Sequence, residues 1–134
     1  MGGLRMNNFI PAAEFLTQSD KVKYKIIKWW EPQIGDLYCD INAYGLNDIS
    51  CISKEERAFT ISIDKQYNYF TPLLQMQQLI NFIEDNDILI HCSLIAWIYY
   101  KNKNLSKPNY IKFGEEFNRL EALWQVAIQI IEGE

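Results

Sequence analysis

The sequence predicts an α+β protein in which a small antiparallel β-meander of about four strands packs against two or three C-terminal helices. In the first half of the chain, short segments alternate apolar and polar residues, which is typical of half-buried strands. In the second half, apolar residues recur every three or four positions, as in amphipathic helices. Because the strands precede the helices, the helices are expected on one face of the sheet.

Length and composition indicate one domain spanning residues 1–134. The chain is 49% hydrophobic and holds only six glycines and four prolines, so it can form a core and is not a low-complexity sequence. Residues 1–10 show no hydrophobic period and are expected to be a loose N-terminal arm. Met6 is a second possible start, so whether residues 1–5 are native stays open.

The first elements are predicted from turn residues and alternation. A short helix is expected over residues 11–18. Val22, Tyr24 and Ile26 then alternate with lysines, which predicts a strand with a lysine-lined outer face. A turn is expected over residues 29–36, because it contains Pro32 and Gly35.

Three further strands complete the predicted meander. In the first, over residues 36–41, Cys39 faces inward and Tyr38 outward; a loop over residues 42–48 follows. The next strand covers residues 49–52, and a polar hairpin loop over residues 53–57 leads to the last one. That last strand, with Phe59, Ile61 and Ile63 apolar, has the clearest alternation in the chain.

The second half is predicted to be helical. Thr71 suits an N-cap and Pro72 the first position of a helix that runs to about residue 85. Residues 88–101 are ambiguous, since residues 88–92 suit a strand or a helix. A helix from about Ser93, with Leu94, Trp97 and Ile98 packed inward, is favoured. The last helix covers residues 113–131.

Charge and motifs exclude several function classes. A net charge of −4 argues against a dedicated nucleic-acid-binding protein. The sequence lacks a glycine-rich phosphate loop and a zinc-ligand spacing, so neither a cofactor nor a metal is expected. The longest apolar run, residues 88–100, is too short to cross a bilayer, so no membrane association is expected.

One local basic cluster stands beside two tryptophans. It is a possible face for single-stranded nucleic acid, by phosphate contacts and base stacking. The favoured alternative is an edge strand whose lysines prevent sheet-to-sheet pairing. The residues of this possible face are Lys21, Lys23, Lys25 and Lys28, next to Trp29 and Trp30.

Cysteine use and the single histidine bear on compartment and catalysis. The odd number of cysteines and the absence of a signal peptide predict reduced thiols and a cytoplasmic protein. His91 and Cys92 are adjacent, and neighbours on a strand point to opposite faces, which does not suit a catalytic pair. The protein is expected not to be an enzyme, although a small enzyme using Cys92 and His91 stays as a third hypothesis.

More aromatic side chains are present than the predicted core needs. Tyr and Trp are enriched in protein interfaces, so the surplus favours binding of another protein or a homo-oligomer. The alternative is that these tyrosines cover the rim of the core. The predicted partner-binding residues are Trp29, Trp30, Tyr67, Tyr69, Phe70, Tyr99 and Tyr100.

Three short motifs resemble those of small uncharacterised proteins of phages and prophages of low-GC Gram-positive bacteria. They are Trp29-Trp30-x-Pro32 followed by Gly35-Asp36, Phe70-Thr71-Pro72-Leu73, and Glu121-Ala122-Leu123-Trp124. The resemblance implies an accessory phage protein in the host cytoplasm that inhibits a host or defence factor by binding it. An immunity or antitoxin-like partner protein is the alternative. No active site comes with the resemblance.

Overall fold

A computed structural model describes residues 8–65, 70–114 and 118–133 and shows an α+β fold, which confirms the predicted class. The helices are α1 (Ala12–Leu16), α2 (Asp20–Trp29), α3 (Ile41–Tyr44), α4 (Glu55–Asp64), α5 (Met76–Asp85) and α6 (Arg119–Glu132). The strands are β1 (Leu37–Asp40), β2 (Ser50–Cys51), β3 (Phe70–Pro72), β4 (Leu89–Cys92), β5 (Ala96–Tyr100) and β6 (Asn109–Lys112).

The strands form two antiparallel three-stranded sheets instead of one four-stranded meander. The chain is organised in two compact units. The N-terminal unit is formed by the described residues of Ile10–Leu74, and the C-terminal unit joins Asn8 and Phe9 to the described residues from Gln75 onward. Ile10 is buried and its N–H donates to the Leu74 carbonyl, so this end of the predicted arm is part of the N-terminal unit. The expectation of a single domain stays a prediction.

The sheet of the N-terminal unit has the order β2-β1-β3. Tyr38 lies opposite both Ser50 and Pro72 across the neighbouring strands. Gly35 adopts a positive φ of 97° in the turn before β1, which is the predicted turn. Tyr38 is buried, so its predicted outward orientation is wrong.

The predicted lysine strand is the helix α2. Ser19 caps it by accepting a hydrogen bond from the Val22 N–H. Val22, Ile26 and Ile27 are buried, whereas Tyr24 is exposed. The residues that seemed to alternate are therefore divided between two sides of a helix.

The predicted strand and hairpin loop between residues 53 and 64 are also a helix, α4. Two carboxylates, Glu55 and Glu56, occupy its first turn, where the helix dipole favours negative charge. Side chains two positions apart on a helix diverge by about 200°, so Phe59 and Ile63 lie opposite Ile61. Only Ile61 of the three is buried.

The C-terminal unit packs two helices on a meander of order β4-β5-β6. The helices α5 and α6 contact each other, and α6 also contacts β5 and β6. Trp97 Nε1 donates to the Arg119 carbonyl (2.8 Å) and the Tyr99 hydroxyl donates to Gln129 Oε1 (2.8 Å). Both side chains of β5 therefore lie on the helix-facing side of this sheet.

In the second half of the chain, the type or the first residue of three predicted helices is wrong. Residues 88–92 contain a strand, and the favoured helix from Ser93 is the second strand of a hairpin, in which Leu94 is exposed. Thr71 and Pro72 lie in β3, and α5 begins only at Met76 after the N-cap Gln75. The C-terminal helix begins at Arg119, where Asn118 and Glu121 form a capping box.

The aromatic side chains of the second half and of α4 are divided between the core and the surface. Phe82, Trp97 and Trp124 are buried. Phe59 is 69% exposed, whereas Phe113 is half-buried with its ring 6.2 Å from that of Trp97. Phe117 lies outside the described residues. Within those residues, the helices are too short and too polar to cross a bilayer.

Candidate protein-binding surface

The side of the β4-β5-β6 sheet that faces away from α5 and α6 is here called the outer face. Trp97 and Tyr99 mark the helix-facing side, so residues 98 and 100 lie on the other side. Residues directly opposite each other on antiparallel strands share a face. His91 and Tyr110 both lie opposite Ile98, and Leu89 lies opposite Tyr100. The outer face thus consists of Leu89, His91, Ile98, Tyr100 and Tyr110.

The outer face is apolar, aromatic and accessible. Tyr110 is 58% exposed and Leu89 is 39% exposed. The rings of His91 and Tyr100 stack with centroids 6.0 Å apart and planes 29° apart. Lys112, opposite Ala96, is the charged residue at the margin of this face. This side of the sheet offers flat aromatic rings around an aliphatic centre.

Two aliphatic side chains project from the β4–β5 turn at one end of the sheet. Leu94 is 96% exposed and Ile95 is 64% exposed; together they are here called the hairpin tip. Ser93 holds the turn, because its N–H donates to the Ala96 carbonyl (2.8 Å) and its Oγ accepts from the Ala96 N–H (3.0 Å). The tip is therefore an apolar projection on a hydrogen-bonded turn.

His91 and Cys92 do not form a catalytic pair. The His91 ring lies on the outer face against Tyr100. Cys92 is opposite Trp97 and therefore on the other side of the strand. Two open cavities in the same unit have other linings: one of about 290 Å³ includes Lys101 and Lys107, and one of about 360 Å³ includes Met76 and Leu120.

The predicted partner-binding aromatics do not form one surface. Trp30, Phe70 and Tyr99 are buried at 8% exposure or less, so these three side chains belong to the interior. Trp29 is half-buried. Tyr100 is on the outer face, whereas Tyr67 and Tyr69 lie outside the described residues.

Sequence reasoning missed Leu89, Leu94, Ile95 and Tyr110. Leu94 was expected to face inward on a helix. One signal pointed to Leu89, Leu94 and Ile95: no Lys, Arg, Asp or Glu occurs between residues 88 and 96. An uncharged run of that length is typical of a buried segment, but here most of it is exposed.

Helix α2 places the four lysines differently from a strand. Lys21, Lys25 and Lys28 are spaced by four and three residues and share one side of the helix. Lys23 lies on the other side, where its Nζ is 3.6 Å from Asp20. Trp30 is buried, and its Nε1 donates to Asp36 (3.1 Å), so its ring is not a stacking platform beside the lysines.

A polar cluster in the N-terminal unit surrounds Arg57. Its Nε donates to the Tyr38 hydroxyl (3.0 Å), and its Nη2 lies 3.8 Å from Asp40. The guanidinium carbon is 5.2 Å from the centroid of the Phe70 ring. These contacts attach α4 to the sheet, so the cluster has a structural role.

Two titratable groups of the N-terminal unit are perturbed by burial. Burial raises the pKa of the Cys39 thiol, and the nearby Asp48 carboxylate raises it further. The Cys39 thiol donates to the Gly45 carbonyl (3.1 Å) and is fully buried. Burial lowers the pKa of Lys65, whose Nζ donates to the Trp30 carbonyl. The two other thiols, Cys51 and Cys92, are exposed.

Metal-binding geometry is not found in the parts of the chain that the structure describes, since no three His, Cys, Asp or Glu side chains converge there. Comparison of the chain with protein-family models, with curated proteins and with solved structures yields no match. No function is therefore transferred from a relative.

Proposed function

We propose that this protein is a non-enzymatic binding protein that attaches to another protein through the hairpin tip and the adjoining outer face. The observation that carries the proposal is the hairpin tip, where Leu94 is almost fully exposed beside a largely exposed Ile95. Contiguous exposed apolar surface is typical of protein-interaction sites. The proposal moves the predicted interface from a set of seven aromatics to this surface and keeps Tyr100 within it.

The energetics of burial favour this surface as an anchor. Burying one Leu or Ile side chain contributes about 1.5–3 kcal/mol, so the tip supplies several kcal/mol when it enters a pocket. Its turn is already fixed by Ser93, so little conformational entropy is lost on binding. The tyrosines of the outer face add area and hydroxyl groups around that anchor.

The resemblance to phage and prophage proteins suggests the class of partner. An accessory protein in the host cytoplasm that blocks a host or defence factor needs an interface and no active site. The outer face meets that need. The alternative is an immunity or antitoxin-like protein that neutralises one cognate protein. The neighbouring genes distinguish the two, because an immunity protein or antitoxin is encoded beside its target.

The proposal is tested by comparing what three variants of the chain retain from an extract of its native cells. The wild-type protein, Leu94→Asp and Leu105→Asp are immobilised, and the retained proteins are quantified by mass spectrometry. Leu105 is the matched control, because it is an exposed leucine (67%) of the same unit outside the outer face and the tip. The expected result is a protein retained by wild type and Leu105→Asp but reduced at least about tenfold by Leu94→Asp, since burying a charge costs more than that factor.

Retention that is equal for all three variants would contradict the proposal, as would retention lost equally with both substitutions. Circular dichroism of each variant confirms that the comparison is made on folded protein.

A further inference from the structure

The edge of the second sheet at β4 differs from its other edge. Natural proteins protect edge strands with charge, proline or short length, because an unpaired strand binds other strands. At the β6 edge, Pro108 precedes the strand and Lys112 ends it. The β4 edge consists of Leu89, Ile90, His91 and Cys92, has no charged residue or proline, and pairs with no other strand of the described residues.

The hydrogen-bond register shows which peptide groups of β4 face outward. Ser93 and Ala96 form a hydrogen-bonded pair at the turn, so the pairs two and four residues further along, His91–Ile98 and Leu89–Tyr100, are also hydrogen-bonded pairs. The N–H and C=O groups of Ile90 and Cys92 therefore point away from β5.

We propose that β4 pairs antiparallel with β4 of a second copy of this chain, joining the two sheets into one six-stranded sheet. This inference goes beyond the proposed binding of another protein, and it concerns the sheet edge instead of the tip. A symmetric antiparallel pair brings the outward peptide groups of Ile90 and Cys92 on each copy against those of the other.

Charge and length favour a second copy as the occupant. Identical charged edges repel each other, whereas the β4 edge has no Lys, Arg, Asp or Glu and pairs with itself without that repulsion. Two copies also match in strand length along the whole of β4. A two-fold axis normal to the sheet keeps the outer faces on one side, so Leu89 and His91 of both copies form a continuous surface.

The most direct test is amide hydrogen exchange of the wild-type protein measured by NMR over a range of concentrations. The amides of Leu89 and His91 bond to β5 and are expected to be protected at every concentration. The amides of Ile90 and Cys92 are expected to exchange rapidly when the protein is dilute and to become at least tenfold protected as sedimentation shows dimer.

A second test removes one outward donor. Cys92→Pro deletes an N–H that β5 does not use, and proline is tolerated at such edge positions. Because each copy loses one donor, two hydrogen bonds of the dimer are lost, and dimerisation is expected to weaken at least about tenfold. The matched control Cys92→Ser, which keeps the N–H, is expected to leave it unchanged.

Three results would overturn the proposal. The first is that the wild-type protein stays monomeric at millimolar concentration. The second is a dimer in which the amides of Tyr110 and Lys112 gain the concentration-dependent protection. The third is that the amides of Ile90 and Cys92 become protected only when a different protein is added. If Cys92→Pro does not fold, the wild-type exchange measurement decides alone. Leu94→Asp is expected to dimerise normally, so failure of this proposal and failure of the proposed function are distinguishable.

Discussion

At the scale of single residues, half-buried polar side chains have specific partners. Asp36 accepts from both the Trp30 indole (3.1 Å) and the Gln33 N–H (3.0 Å), which fixes the turn before β1. Arg57 lies between Asp40, Tyr38 and the Phe70 ring. The side chains of the described residues leave no buried nitrogen or oxygen without a partner. Each of these groups therefore specifies a local geometry without an uncompensated desolvation cost.

Ionisation of Tyr99 is expected to lower the free energy of unfolding at alkaline pH. Burial raises the pKa of its hydroxyl, which donates to Gln129 Oε1. In the unfolded chain that pKa is about 10. As the pH rises, the unfolded state therefore loses this proton before the folded state does. The contribution to stability is complete below about pH 10 and is lost as the pH rises through the raised pKa of the folded state.

We expect Tyr99→Phe to reduce the free energy of unfolding by about 1 kcal/mol at neutral pH, through loss of the hydrogen bond. The gap between wild type and variant is expected to shrink as the pH rises above about 10, because only the wild type carries an ionisable group at position 99. Urea unfolding over that range measures the gap. Tyr110→Phe, which removes an exposed hydroxyl, controls for the general effect of alkaline conditions on unfolding. A constant gap for Tyr99→Phe contradicts the prediction.

At the scale of elements, α4 is the sharpest departure from the sequence pattern. A strand at residues 59–63 buries Phe59, Ile61 and Ile63 together, whereas the helix buries only Ile61. Ile61→Ala is therefore expected to cost about 2–4 kcal/mol, and Phe59→Ser and Ile63→Ser within about 0.5 kcal/mol. Chemical unfolding of the three variants measures this. Comparable losses at all three positions would indicate a strand.

The exposed side of α4 is a second apolar surface. Phe59 and Ile63 are 69% and 51% exposed. Tyr44 at the end of α3 is also exposed, as are Leu46 and Ile49 in the loop before β2. The hairpin tip is favoured as the anchor because its side chains project from a hydrogen-bonded turn and Leu94 is the more exposed.

Elements with strong periodicity were predictable. In α5 and α6 the apolar positions keep helical spacing over ten or more residues, and both helices carry a capping box. Short elements were not predictable in the same way. In α2 and α4, apolar residues two apart imitate a strand, and the helix signals, Ser19 and the Glu55-Glu56 pair, are local and weaker.

The hairpin tip and most of the outer face could not be predicted from the sequence for a related reason. Its turn contains no glycine, asparagine or proline, since the Ser93 side chain stabilises it, so the usual hairpin signal is absent. Without that signal, residues 93–100 suit a buried helix, in which Leu94 faces inward. Tyr100 was predicted from composition alone, because tyrosine is common in interfaces whichever element holds it.

At the scale of the whole molecule, the chain has two units, each with its own small sheet, and the proposed interface belongs to the C-terminal one. The N-terminal unit holds the lysine side of α2 and the apolar side of α4. The described residues therefore offer a partner three chemically distinct surfaces: one basic, one apolar and helical, and one apolar on a sheet. We assign partner binding to the sheet.

The measurement that tests this assignment most directly is the amide-exchange footprint of the retained partner on the wild-type chain. Protection is predicted at the hairpin tip and along the strands of the outer face, residues 89–100 and 109–112. Leu94→Asp is predicted to abolish that footprint and Leu105→Asp to preserve it. Protection confined to residues 55–64 of α4 or to the lysines of α2 would contradict the account.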